Sequence, residues 1–206
     1  MKSLNHPIVH QSFALIDKEV KKHNLNPLEY AIARRVIHAT ADFEFLDLFE
    51  FNHNAIASGI KAIQERKAII TDVNMVKQGI INLTKKTFNN PIICCLDFAE
   101  IADKGKTRTE TGILRTFEKY PQGIYLIGNA PTALIALCEA LQKSQLKPAL
   151  IIGVPVGFVK VVESKKILSQ TSIPQILIKG RKGGSSVAAS ILNALLILAT
   201  QQTIET

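Results

Sequence analysis

Arg35 and His38 lie three residues apart in the stretch Arg34-Arg35-Val36-Ile37-His38-Ala39-Thr40-Ala41-Asp42. On a helix that spacing puts a fixed cation and a titratable imidazole on one face, where they can address a single ligand. Taken alone, His38 fits two roles: a proton donor and acceptor in a reaction, or a solvated histidine interacting with the last carbonyls of its helix. His6, His10, His23 and His53 show no metal-ligand spacing among themselves, so surface or capping roles are expected of them. A second feature is Gly183-Gly184-Ser185-Ser186, preceded by Arg181 and Lys182. As the opening of a helix it offers backbone N–H groups and the positive end of the dipole to an anion. The same glycines would also serve close packing of a helix against a strand. The pattern GxxxxGK[ST] is absent, and no strand leads into GxGxxG, so a nucleotide or phosphometabolite enzyme using the Gly183-Gly184 loop lacks its usual fingerprint.

These residues need elements to hold them. Short apolar runs at residues 68–71, 91–96, 123–127, 149–152 and 174–178 alternate with helical patterns. That alternation predicts an α/β fold: a single domain over residues 1–206, with a mainly parallel sheet of about five strands flanked by helices. The near-continuous apolarity of the runs predicts strands covered on both faces. Polar and glycine residues follow the runs, as in Asp72-Val73-Asn74, Gly128-Asn129-Ala130-Pro131-Thr132, Gly153-Val154-Pro155-Val156-Gly157-Phe158 and Gly180-Arg181-Lys182-Gly183-Gly184. Loops at the carboxyl ends of parallel strands are where such sheets bind ligands, although turns need the same residue types for their own geometry.

The first third reads as an N-terminal helical segment. Val9, Phe13, Ile16 and Val20 share one face, and a second helix opens at Asn26-Pro27-Leu28-Glu29 with the pattern of a capping box and runs to about Ala39. Ile56, Ile60 and Ile63 mark a third helix, Leu134, Leu137 and Leu141 another, and Pro131 suits a first helical position. The last helix is apolar nearly all round, which predicts burial on two sides; a subunit interface is one way to achieve it. Asp97, Glu100 and Asp103 have the spacing of an acidic helix face. Thr107-Arg108-Thr109-Glu110-Thr111 reads as a capped helix start that leaves Arg108 free to reach outwards.

The chain has 206 residues, 47% of them hydrophobic, no Trp and a formal charge of +8. That length can bury a full core without disulfides or structural metal. Cys94, Cys95 and Cys138 form no CxxC pair and are expected to be reduced core residues. The longest apolar stretch, residues 191–199, is broken by Asn193, and the N-terminus lacks a signal-peptide core; a soluble, cytoplasmic protein with no membrane partner is expected. The positive charge admits a nucleic-acid-binding protein as a reading from another class, but the basic residues are spread out, without a tail or interleaved aromatics. An anionic small substrate accounts for them equally well.

In family order, the segments Arg34-Arg35-Val36-Ile37-His38-Ala39, Asp72-Val73-Asn74-Met75-Val76, Thr107-Arg108-Thr109, Gly128-Asn129-Ala130-Pro131-Thr132-Ala133-Leu134, Pro155-Val156-Gly157-Phe158-Val159 with Glu163-Ser164-Lys165, and Gly180-Arg181-Lys182-Gly183-Gly184-Ser185 span almost the whole chain. Together they resemble the precorrin-8X methylmutases, also called cobalt-precorrin-8 methylmutases, of corrin formation. The resemblance implies a homodimeric isomerase that moves a methyl group from C11 to C12 of a polycarboxylate corrinoid. It implies no cofactor and no protein metal site; cobalt, if present, arrives within the substrate. His38 matches the family's proton-handling histidine, Ser12 a substrate-contacting serine, Arg35 its arginine companion, and Arg108 an arginine that reaches the substrate near the dimer interface. Asn129, Gly183, Gly184 and Ser185 are then expected to hold the ring and its carboxylates, with no nucleic acid as partner. The chain departs from the family at Asn74 and at Glu110-Thr111, and Ala41-Asp42-Phe43-Glu44-Phe45 is a less shared stretch.

Overall fold

The computed structural model describes residue 4 and residues 6–20 and 22–205. Among them, six strands form one sheet in the order β1-β6-β5-β4-β2-β3. The strands are β1 (Phe49–Asn52), β2 (Ile69–Thr71), β3 (Ile92–Cys94), β4 (Ile124–Ile127), β5 (Leu150–Gly153) and β6 (Gln175–Ile178). From β3 across to β6 every pairing is parallel. The strand interiors of β4, β5 and β6 are buried throughout, as their nearly continuous apolar runs require when helices cover both faces.

The sheet is mainly parallel, as the sequence pattern implies, but it has a sixth strand that the pattern did not reveal. This is β1, which pairs antiparallel with β6, Phe49 opposite Ile178 and Asn52 opposite Gln175. Because it runs the opposite way, β1 begins at the edge where the parallel strands end. The chain leaving the N-terminal helices therefore enters the sheet directly at its carboxyl edge.

The helices are α1 (Pro7–Glu19), α2 (Pro27–Thr40), the single turn α3 (Phe45–Leu48), α4 (Ala55–Gln64), α5 (Asn74–Lys86), α6 (Arg108–Lys119), α7 (Pro131–Lys143), α8 (Val161–Ser169) and α9 (Ser185–Glu205). One apolar core lies between the sheet and α2, α4, α5 and α9, with α1 packed outside α2. The other lies under α6, α7 and α8. The reciprocal capping box at Asn26 and Glu29 starts α2, and a second one at Thr107 and Glu110 starts α6. Each side chain there takes a backbone donor that would otherwise have no partner. Glu110 thus serves the helix start.

The apolar girth of α9 needs no second subunit to cover it. This helix packs on α2, α4 and α5 as well as on β4 and β5 of its own chain. Its residues 185–203 are long and apolar enough on composition to cross a bilayer, which the interruption at Asn193 conceals in the sequence; most of that length is buried inside the fold, so core packing accounts for its composition. The acidic helix face expected at Asp97, Glu100 and Asp103 is also corrected. A short 3-10 turn, Cys95–Phe98, is followed by irregular chain. Asp97 pairs instead with Lys77 at 3.3 Å and Asp103 with Arg115 at 2.7 Å. The three cysteines are buried and unpaired in disulfides, as expected.

Candidate active site

The α2 helix stops at Ala41, whose φ of 54° is left-handed, and His38 lies in its last turn with an exposed side chain. The His38 ring stands edge-on to Phe13 of α1, with centroids 5.6 Å apart. The Arg34 and Arg35 guanidiniums lie 4.5 and 5.5 Å from the centroid of the same Phe13 ring. Phe13 is thus an aromatic platform that fixes one imidazole and two cations at once. Arg34 is further held by Asp17 at 2.7 Å, and the Tyr30 hydroxyl donates to the same carboxylate at 2.5 Å. Arg35 is half-buried beside a cleft of about 170 Å³ bordered also by His10 and by Leu198 of α9. Burial, and next the charge of Arg34, lower its pKa from the ordinary guanidinium value; arginine in a protein still stays charged. Ser12, one residue from the platform, donates its hydroxyl to Ile8 O at 2.9 Å.

A second group forms where β4, β5 and β6 end. Asp72, directly after β2, is fully buried, and one of its oxygens accepts from the N–H groups of Asn129 at 2.6 Å and Ala130 at 2.8 Å. Burial pushes its carboxyl pKa up, and the amides of Ala130 and Asn129 pull it back down. This fixes the backbone at Asn129 while its side chain stays exposed. A Cβ on neighbouring Gly128 would come within 2.9 Å of Ser185 Cα, so the Asn129 turn and the first residue of α9 are packed side by side.

The loop before α9 is held from several directions. Gly183 has a φ of +147°, and a Cβ there would collide with Val154 O; glycine is the residue that fits. The Gly184 N–H donates to Val154 O at 2.8 Å, and the Gly157 N–H to Arg181 O at 3.2 Å. Of the two readings of the glycine pair, close packing is therefore realised in the structure, and the Gly184 amide is already engaged. From α8, the Lys165 ammonium donates to Gly180 O at 2.8 Å and to Lys182 O at 2.7 Å. Burial lowers the pKa of Lys165 to about 8. Arg181 lies 5.4 Å from the Phe158 ring centroid, and that ring is 83% exposed at the edge. Lys182 does not point to solvent as a spare cation: its ammonium bridges Asp42 at 2.5 Å and Glu44 at 2.7 Å.

The structure therefore brings Ser12, Arg35 and His38 together at the α1–α2 pair, and Asn129, Gly183, Gly184 and Ser185 together at the carboxyl edge. The Lys182 bridge joins the two groups. Arg108 stands apart. It is the first residue of α6, on the opposite face of the sheet from α2, with its Nε donating to Ala99 O at 2.9 Å. Between β6, beside the end of α2, and β2 lie β5 and β4. Among the described residues no group of three or more His, Cys, Asp or Glu side chains is placed to hold a metal ion. Sequence reasoning placed Asp72 and Phe158 only within edge loops, and it missed the anchoring roles of Asp72 and Lys165 and the Asp42–Lys182–Glu44 bridge. Of these, Asp72 and Lys165 carried a signal, as polar residues inside segments otherwise notable for position.

A family model described as precorrin-8X methylmutase matches residues 7–198. A cobalt-precorrin-8 methylmutase of Synechocystis sp. is 55% identical, with 97% of this chain and 98% of the relative aligned. One from Methanocaldococcus jannaschii is 39% identical, over 95% and 94% of the two chains. Among solved structures, the precorrin-8X methyl mutase of Thermus thermophilus superposes with a TM-score of 0.87 at 38% identity, covering 95% of this chain and 96% of that one.

Proposed function

This chain belongs to the precorrin-8X methylmutase family, whose members are isomerases of cobalamin biosynthesis, and on that premise we propose that it moves a methyl group from C11 to C12 of precorrin-8X or its cobalt complex. The product is hydrogenobyrinate or cobyrinate. The observation that carries this reading is the exposed imidazole of His38, set on Phe13 beside Arg35 and joined through Lys182 to the carboxyl-edge loop.

The bond from C11 to the methyl carbon breaks as the bond to C12 forms, so no atom is gained or lost. Such a shift needs neither hydride nor nucleophile; the protein supplies binding, orientation and a proton. His38 lends that proton to the macrocycle, at a nitrogen near ring C in the metal-free ring, and takes it back after migration. No resident cofactor enters this scheme, and any cobalt belongs to the substrate. Arg35 and Arg108 hold acetate and propionate carboxylates, with Ser12, Asn129 and Ser185 as further contacts, and the net charge of +8 draws in the polyanion. The Gly184 amide is committed to Val154, so that donor is not offered to a phosphate group.

The distance across the sheet between Arg108 and His38 supports a homodimer in which each pocket takes its Arg108 from the partner. The enzyme works in the cytoplasm with this corrinoid as its ligand and neither nucleic acid nor membrane as partner. His38→Ala should abolish turnover, followed by the visible spectrum of the pigment, yet leave tight binding of the ring; unchanged turnover would sink the assignment. Random mixing of inactive His38→Ala and Arg108→Ala chains should restore about a quarter of wild-type activity, because a two-fold dimer then regains one intact pocket in half its molecules. No recovery on mixing would place both residues in the same chain's pocket.

A further inference from the structure

We infer that Lys182 is a positioning residue for the methyl shift, clasping the His38 end of α2 to the loop that leads into α9. The inference rests on the proton-handling role proposed for His38. The Lys182 ammonium contacts Asp42 and Glu44, which stand just past the left-handed Ala41 where α2 stops. It therefore grips the chain within a few residues of His38, although Lys182 and Asp42 are 140 positions apart in sequence.

The loop end of the clasp is rigid. Lys165 holds the carbonyls of Gly180 and Lys182 from within α8, while Val154 takes the Gly184 amide and Arg181 the Gly157 amide through its carbonyl. The Lys182 side chain carries this rigidity across to α2. The buried Val36 and Ile37 hold the inner face of the last turn of α2, whereas the chain just past Ala41 is tied to the opposite loop through the Lys182 bridge. Small displacements of a proton donor relative to a bound ring are expensive in rate, because the reaction depends on alignment.

Direct binding of a substrate carboxylate is the competing role for Lys182. Its surroundings oppose that role: the bonds to Asp42 and Glu44 raise its pKa, but two carboxylates around one ammonium leave the cluster with a negative balance. An approaching third carboxylate meets repulsion there. Arg181, seated on Phe158, forms no such carboxylate pair among the described residues and is the better partner for an acid group of the ligand.

The two roles separate in steady-state kinetics of the full-length enzyme with precorrin-8X. Lys182→Met should lower kcat on the order of 10-fold or more with KM changed less than about twofold. Lys182→Arg, which can span the same two carboxylates, should restore most of kcat. The pair Asp42→Asn and Glu44→Gln, combined in one chain, should reproduce the kcat loss with Lys182 intact, and it serves as the test if Lys182→Met does not fold. Added salt should lower kcat of the wild type more than that of Lys182→Met, since it screens a half-exposed bridge that the variant lacks. A raised KM with unchanged kcat would make Lys182 a substrate contact and overturn the inference. Full kcat in Lys182→Met, or a kcat loss that Lys182→Arg leaves unrepaired, would overturn it as well. If His38→Ala is inactive while Lys182→Met is fully active, only the clasp fails; if His38→Ala is active, the reading of His38 fails with it.

Discussion

Asp72 and Asp42 each join loops at the carboxyl edge, but Asp72 does so from full burial against backbone N–H groups, and Asp42 from a half-exposed contact with a lysine. The consequences for ionisation are opposite. Burial raises the Asp72 carboxyl above its usual range, whereas the hydrogen bond from Lys182 lowers that of Asp42. Backbone anchoring in the interior makes a connection that salt cannot screen and that geometry permits only one way. The ionic clasp is weak as a stabilising contact, since exposed pairs lose much of their attraction to water and ions. The first suits the floor of a site, and the second suits the alignment of two parts whose relative position matters to chemistry.

The comparison can be broken at the strongest point first. Asp72→Ala should destabilise the protein by about 3 kcal/mol, because one buried and one part-buried N–H group lose their acceptor; urea unfolding measures it, and a loss under about 1 kcal/mol would mean that the carboxylate is not the anchor. Lys165→Met should follow, at about 2 kcal/mol, from the abandoned carbonyls of Gly180 and Lys182. This second effect has a sign in pH. With a folded pKa near 8 below the unfolded value, the charged form is disfavoured in the fold, so the wild type should gain stability relative to Lys165→Met as pH rises through 8 towards the unfolded lysine value near ~10.4.

A sharper form of the comparison uses acid. The raised Asp72 carboxyl takes up its proton in the fold before it would in the unfolded chain, so its contribution becomes more favourable as pH falls through the folded value. The lowered Asp42 carboxyl behaves the other way: its contribution is fully present above ~3.9 and disappears as pH falls through the folded value below that. Unfolding of Asp72→Asn and Asp42→Asn against wild type between pH 7 and 3 should show differences of opposite slope. Equal slopes would contradict the assigned environments. Smallest of all should be the thermal effect of Lys182→Met, a shift in Tm of no more than ~2 °C in a domain of this size, set against its much larger effect on kcat.

Much of this architecture is written in local pattern. The runs that became β2 to β6 are nearly continuous in apolarity, and the capping boxes at Asn26 and Thr107 mark their helices within one turn. Strand β1 is not legible in that way. Phe49-Glu50-Phe51-Asn52 is four residues of alternating character at a sheet edge, with no crossover helix to announce a parallel partner. The acidic residues 97, 100 and 103 show the converse error, since a helical spacing occurs in a segment whose backbone is irregular. At the site, Arg35 and His38 were visible through their spacing, but Phe13 read only as one member of a helix face, and its role as their shared platform depends on how α1 packs on α2. Lys182 reads as a cation beside the glycine loop, and the stretch around Asp42 and Glu44 as one less shared with the family. The bridge between them is a product of tertiary structure across most of the sequence, which no local rule contains.

The pairing of β1 with β6 and the seating of α2 on α9 also set the order in time. During synthesis the first helices and β1 leave the ribosome long before their partners exist, and the apolar faces of α2, α4 and α5 wait for α9, which follows them in the chain. Contacts between distant parts of the chain form slowly, and exposed apolar faces invite association in the meantime. A nascent chain halted before residue 185 therefore holds His38 on a helix that still lacks α9 to pack on, and the emergence of α9 is the event that closes the fold and the site together.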